Sequence, residues 1–160
     1  VRESIFNVLA NVGLEEAKVL DIFAGTGAMG LEALSRGAAE AVFIDRTTSD
    51  IIRKNAERCH MSGQVKVIAR DVTPALKLLG GKSFDYIFMD PPYRKGYINE
   101  ILKEILSCGI CSDDAIIVAE HSVSEAPDLS LFEDRLDLWK EKKSGAIVVT
   151  YLRCRTTEGV

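Results

Sequence analysis

No apolar run in this sequence approaches the roughly 20 residues that a membrane-spanning helix needs, and no signal-peptide pattern opens it. Cysteine is scarce: Cys59, Cys108, Cys111 and Cys154 are four thiols in 160 residues. They are too few for a secreted disulfide framework, so a reducing cytoplasm is the expected setting. Cys108 and Cys111 have CxxC spacing, but no second pair or nearby histidine completes a zinc site. Buried or half-buried thiols at a helix end are expected there, and no metal. A large excess of one charge is also lacking. The net charge of −4 excludes a protein that is basic all over, but not a local basic face, because nucleic-acid binding depends on where charge sits. There is no internal repeat, low-complexity tract or linker. The 160 residues read as one domain, 1–160, long enough to bury roughly 70% of its unfolded surface.

What the sequence does have is alternation. Ile5, Phe6, Val8, Leu9 and Val12 share one broad face of a first helix. "KVLDIFAGTG" runs from a short strand into a glycine turn, and "AMGLEALSRGA" reads as a helix stopping near Gly37. "EAVFID" is a second strand, "SDIIRKNAERCHM" a helix closed by Gly63, and "VKVIARD" a third strand. "TPALKLLGG" has proline in its first turn and glycines after it, as a short helix should. "FDYIFMD" is a fourth strand, "YINEILKEILSCG" places Ile98, Ile101, Leu102, Ile105 and Leu106 at helical spacing, and "DAIIVAEH" is a fifth strand. "FEDRLDLWKEKKSGAIVVTYLRC" then reads as two strands joined by the turn "KKSG". Repeated strand–helix units predict a doubly wound α/β domain: a mostly parallel sheet between two helical layers, with an antiparallel C-terminal hairpin at one edge.

"DIFAGTGAMG" contains Gly25-x-Gly27-x-x-Gly30 between a strand and a helix, with Asp45 twenty residues after Gly25. That spacing satisfies a dinucleotide fingerprint: glycines for close approach, an acid for a ribose hydroxyl. Any ligand carrying an adenosine ribose meets the same requirements, whereas NAD also needs its pyrophosphate at the helix N-terminus. Asp21, four residues before Gly25, makes that region anionic and suits an ammonium and a sulfonium better than two phosphates. The alternative for Asp21 is a cap on backbone amides of the loop. Asp71, ending the third strand, either accepts from an adenine amino group or caps the helix starting near Thr73. Three acids at the ends of three successive strands favour S-adenosylmethionine over NAD.

Asp90-Pro91-Pro92-Tyr93 ends the fourth strand at the same edge. Two prolines fix φ and remove two N–H donors, leaving carbonyls and the Asp90 carboxylate as held acceptors. Acceptors are what methylation of an exocyclic base amine needs, because its nitrogen is conjugated with the ring and weakly nucleophilic. Hydrogen bonds to Asp90 and the Pro91 carbonyl favour a pyramidal nitrogen, and Tyr93 can stack on the base. Orientation and fixed dipoles then supply most of the acceleration.

Together, "DIFAGTGAMGLEALSRGA", "FDYIFMDPPYRKGY", "VAEH" and the opening "VRESIFNVL" resemble the class I S-adenosylmethionine-dependent methyltransferases, and more narrowly the RsmD family, over nearly the whole chain. That family methylates the exocyclic N2 of a guanine in bacterial small-subunit (16S) ribosomal RNA. The resemblance implies a seven-stranded Rossmann-like sheet. It implies cofactor contacts at Asp21, Phe23, Ala24, Gly25, Thr26 and Gly27, at Asp45 and Arg46, and at Asp71 and Val72. It implies catalysis at Asp90, Pro91, Pro92 and Tyr93. The family usually has a basic N-terminal β-hairpin ahead of the segment matching "VRES", so an N-terminal extension missing from this sequence is expected. The stretch from Asp45 to Asn55 also looks slightly shorter than the family's.

A base within a stem cannot reach Asp90, so the target must be unpaired or flipped out. Arg94 and Lys95 follow the tetrad, and Arg94 is the candidate for a flanking phosphate of the RNA, free or within a small-subunit particle. Lys140, Lys142, Lys143 and Arg2 are weaker candidates, and His121 is expected in a local polar contact rather than as a base. An adenine-N6 methyltransferase would share the tetrad, but no segment is long enough for a DNA target-recognition domain. An NAD-dependent oxidoreductase would leave the tetrad unexplained, and a non-enzymatic assembly module would not need Asp21, Gly25, Gly27, Asp90 and Tyr93 intact.

Overall fold

The apolar runs become seven strands of one sheet, described in a computed structural model over residues 1–155. In chain order the main elements are α1 (Arg2–Leu9), β1 (Lys18–Ile22), α2 (Ala28–Ser35), β2 (Glu40–Ile44), α3 (Ser49–Arg58) and β3 (Val65–Ile68). There follow α4 (Val72–Leu78), β4 (Phe84–Met89), α5 (Tyr97–Cys108), β5 (Cys111–Ser122), β6 (Leu136–Ser144) and β7 (Ile147–Cys154). The spatial order is β3-β2-β1-β4-β5-β7-β6. β1 to β5 pair in parallel, and β7 runs antiparallel between β5 and β6. The chain moves outward from β1 to β3, then returns across β1 to β4. The order therefore reverses between β1 and β4, and such a reversal opens a crevice at the carboxyl ends of the strands.

Period-two alternation in β1 divides the core. Leu20 and Ile22 join α4 and α5 on one face, where Leu76, Leu102 and Ile105 are fully buried. Val19 faces the other layer with Phe6 of α1, Leu31 of α2 and Ile52 of α3. Asp21 shares Val19's side of the strand, so its carboxylate points toward α2. α2 sits unusually close to β2: a Cβ added at Gly30 would lie 2.4 Å from Cε2 of Phe43.

Several boundaries differ from the sequence expectations: β3 ends at Ile68 and not at Asp71, and β5 is longer at both ends than "DAIIVAEH". α1 stops at Leu9, and Val12, expected on its buried face, is 47% exposed ahead of the turn at Gly13. α3 stops at Arg58 and is closed by His60 in the left-handed region (φ 58°), with the Met61 N–H reaching the Ala56 carbonyl at 2.8 Å; Gly63 lies beyond, in a short 3-10 turn. The hairpin turn is Gly145–Ala146 rather than "KKSG", because Ser144 already pairs with Ile147. Lys140, Lys142 and Lys143 consequently lie within edge strand β6.

The crowding at Gly30 gives a direct test. Gly30→Ala must displace the fully buried Phe43 ring and is expected to cost about 1–3 kcal/mol in urea unfolding. Gly63→Ala, whose Cβ meets nothing within 4 Å, should shift stability by less than about 0.5 kcal/mol. Equal midpoints for the two variants would contradict this packing.

Candidate active site

The parallel strands deliver carboxylates to one edge of the sheet. Asp21 lies within β1, and Asp45 and Asp90 directly follow the last residues of β2 and β4; Asp71, expected to end the third strand, lies three positions beyond Ile68, at the start of α4. Between β1 and α2 the chain makes a tight loop. Phe23 adopts φ 59°, a conformation that costs a bulky residue about 1–3 kcal/mol and persists only where its surroundings impose it. The Ala24 N–H bonds the Ile44 carbonyl at 3.0 Å, and the Phe23 ring packs edge-on against Tyr97 at 5.7 Å. Gly25 has φ 57° with open space where a Cβ would be.

Asp45 holds this loop to the end of β2. Its Oδ2 accepts from the Gly25 N–H at 2.9 Å, and its Oδ1 from the amides of Thr47 at 3.0 Å and Thr48 at 3.2 Å. Burial pushes its pKa up, but these amides outweigh it and the carboxyl titrates below the ordinary range. Asp21 is different. It is 3% exposed, and its Oδ2 accepts one bond, from the Gly30 N–H at 2.9 Å. Desolvation raises its pKa to about 7, offset in part by the Gly30 amide and reinforced by the charge on Asp45. Asp21 therefore does bond a backbone amide, and it also faces a cleft. Asp71 occupies the N-cap position of α4 without a capping bond; its carboxylate stands 3.6 Å from Arg46 Nη1.

Three adjoining clefts follow the edge. One, of about 390 Å³, lies behind the glycine loop, with Asp21, Phe23, Ala24 and Gly25 on one wall and Asp90 and Glu120 on the other. A second, of about 420 Å³, runs from Phe23 past Asp45, Arg46, Asp71 and Val72 to Tyr97. The third, of about 400 Å³, is bounded by Asp90, Pro91, Pro92 and Tyr93, by Glu120 and Ser122, and by Ile147 of the hairpin. Phe23 lines the first and second; Asp90 and Glu120 line the first and third.

Thr26 and Gly27 stand apart from these walls. The Thr26 carbonyl accepts from Asn55 Nδ2 at 2.9 Å, and Gly27 is the left-handed N-cap of α2, packed against Ile52. Tyr93 is 76% exposed, with its hydroxyl 3.0 Å from Ser124 Oγ. The Arg94 guanidinium lies over the Tyr97 ring at 4.2 Å and bonds Glu100 at 2.9 Å, so it is already engaged by α5. His121 donates from Nδ1 to the Ser122 carbonyl at 2.7 Å, and its Nε2 bonds the Thr150 hydroxyl at 2.7 Å; both ring nitrogens are taken locally. Among the described residues, no group of three or more His, Cys, Asp or Glu is disposed to hold a metal ion, and no helix is long and apolar enough to cross a membrane.

Sequence reasoning assigned no role to Glu120, Tyr97 or Ser124. Glu120 was visible as a strand-end acid in "VAEH", and Tyr97 as the aromatic opening α5. Nothing in the sequence marked Ser124, whose contact with Tyr93 spans 31 positions.

The seven-stranded order with β7 inserted antiparallel, and a glycine loop at the switch point, define a class I methyltransferase fold. A structure from Escherichia coli described as the methyltransferase yhhF superposes with TM-score 0.87 at 33% identity, covering 98% of this chain and 86% of that one. The chain belongs to the RsmD family: the family described as conserved hypothetical protein 95 matches residues 1–153. Ribosomal RNA small subunit methyltransferase D of Escherichia coli K12 is 36% identical over 149 residues, covering 92% of this chain and 73% of that protein. Its namesake from Haemophilus influenzae is 29% identical over 151 residues, covering 92% of this chain and 76% of that protein.

The raised pKa of Asp21 has a stability consequence. Because the folded-state value lies above the unfolded 3.8, the folded protein holds the extra proton between these values. The contribution of Asp21 to stability is thus full below pH 3.8 and is lost as pH rises to about 7. Asp21→Asn keeps an acceptor for the Gly30 amide and has no charge to bury. Without ligand, wild type should lose stability relative to this variant as pH rises through that window, measured by urea unfolding at several pH values. A constant difference would show that Asp21 is not desolvated in this way.

Proposed function

We infer that this chain transfers a methyl group from S-adenosylmethionine to the exocyclic N2 amine of a guanine in bacterial small-subunit ribosomal RNA. The observation that carries the reading is the position of Asp90, at the one wall shared by the cleft behind the glycine loop and the cleft beside Tyr93. A cofactor in the first and a base in the second would meet at this carboxylate. Family membership supports the substrate class, through relatives named as ribosomal RNA small subunit methyltransferases.

S-adenosylmethionine, when bound, supplies an electrophilic methyl group on a sulfonium. The residues fit it. Asp21 provides a buried anion with a single hydrogen bond, suited to an ammonium. Asp45 Oδ2 accepts one amide and keeps a lone pair for a ribose hydroxyl, with Arg46 beside it. Asp71 and Val72 offer an acceptor and an apolar wall for adenine, and the backbone from Phe23 to Gly25 borders the remainder. A dinucleotide fits less well: its pyrophosphate would face Asp21, and the α2 amide at Gly30 is already bonded.

At the target, Asp90 and the Pro91 carbonyl accept hydrogens from the amine and direct its lone pair toward the first cleft. Pro92 keeps the segment extended, and Tyr93 gives a flat platform for a base flipped out of its helix. The methylated nitrogen loses one proton to the Asp90 carboxylate, which passes it to solvent. The substrate is the RNA itself or the RNA within a partly or fully assembled small subunit, in the cytoplasm. Arg94 borders the base cleft, and to meet a flanking phosphate it would have to leave Glu100 and Tyr97.

Asp90→Ala should lower the rate of methyl incorporation into small-subunit RNA by about 10²–10³ with little change in unfolding midpoint. Tyr93→Ala should raise KM for the RNA, and Tyr93→Phe should stay near wild type, since stacking needs the ring and not the hydroxyl. Turnover by Asp90→Ala close to wild type would sink the assignment.

A further inference from the structure

We propose that Glu120 selects the base: it accepts the N1–H of guanine while Asp90 accepts from the neighbouring N2 amine. This rests on the guanine-N2 reading above and names the residue that enforces it. The register pairs Met89 with Ala119, so Asp90, the first residue past β4, comes next to Glu120 of the adjacent parallel strand β5. Both line the two clefts that meet at the transfer point. Among the described residues no lysine or arginine forms an ion pair with either carboxylate. The two prolines after Asp90 add no backbone N–H to satisfy them. Two adjacent acceptors therefore lack donors of their own, beside an exposed aromatic platform.

Guanine has the complementary edge, with N1–H and N2–H donors side by side. Adenine puts a bare N1 lone pair next to its amine, and two carboxylates repel it. A site built to bond an N–H strongly rejects a base that lacks it, because a buried acceptor is left unpaired.

In the free protein, burial and then the neighbouring Asp90 carboxylate push the pKa of Glu120 up to about 7. Near neutrality Glu120 is therefore partly protonated. The other charged or titratable groups around it are Arg2 and Asp21 in the first cleft, and Tyr93, Arg94, His121 and Glu125 in the third. Guanine brings two N–H donors in place of that proton, which leaves to solvent. Binding of the target should therefore strengthen as pH rises through about 7.

The test uses the position that the wild-type protein methylates, mapped by mass spectrometry of the labelled RNA. Small-subunit RNA carrying guanine there is compared with RNA carrying 2-aminopurine, which keeps the exocyclic amine but has no N1–H. The wild type should prefer guanine by about 100-fold or more in kcat/KM. Glu120→Gln should lose about 10- to 100-fold on guanine, discriminate less between the bases because its amide can donate to N1, and flatten the pH dependence of KM. Equal wild-type rates on the two bases would overturn the proposal, whatever the variant does. So would a Glu120→Gln variant that is unchanged on guanine or loses equally on both bases. If the wild type places no methyl on any guanine N2, the functional reading itself fails; methylation at N2 with either overturning pattern removes Glu120 alone.

Discussion

The hydrogen bond from the Gly30 amide to the Asp21 carboxylate is the contact on which the rest of the site depends. It joins the floor of the sheet to the helix after the glycine loop, and it needs α2 to lie so close to β2 that Gly30 has no room for a Cβ. That approach seals Asp21 from water. A carboxylate so placed is unfavourable alone and is relieved by a cation, which is the electrostatic demand a positively charged ligand meets. The same bond occupies an amide that would otherwise greet a phosphate. One interaction thus fixes the loop and sets the sign of charge that the crevice accepts.

Asp45 completes the frame from the other side. Three amides on its two oxygens keep it ionised and hold Gly25 against the end of β2. Phe23 makes the turn at the cost of a left-handed backbone, and its ring reaches across to Tyr97 on α5, with Arg94 stacked on the same tyrosine. The cofactor cleft and the loop after β4 are linked through this aromatic pair. Asp90 and Glu120 stand where the strand-order reversal and the β4–β5 register bring the clefts together.

Much of this was legible in the sequence because its causes are local. Strand and helix periods, the glycines around the first turn and the prolines after β4 announced the doubly wound sheet, and put Asp21, Asp45 and Asp90 at strand ends; Asp71 instead lies past β3, at the start of α4. What each of these side chains touches was not legible. The Gly30 partner of Asp21 depends on how α2 docks, and the Glu120 partner of Asp90 on a register between strands 30 residues apart in the chain. His60 closes α3 in place of Gly63 because the Met61 amide can already reach Ala56, a choice made by geometry and not by residue type. Arg94, which its place after the tetrad assigned to RNA, is held by Glu100 and Tyr97 once α5 packs beside it.

The proposed function requires that the crevice between β1 and β4 take a cationic adenosyl ligand and not a dinucleotide, and every role assigned to the surrounding residues rests on that. Calorimetric titration of the protein with S-adenosylmethionine and, separately, with NAD tests it most directly. Saturable binding of S-adenosylmethionine at one site is expected, with no detectable heat of binding for NAD. Binding of NAD alone would contradict this, and would remove the roles of Asp21 as an anion for the ammonium and of Asp90 as the acceptor at the transfer point.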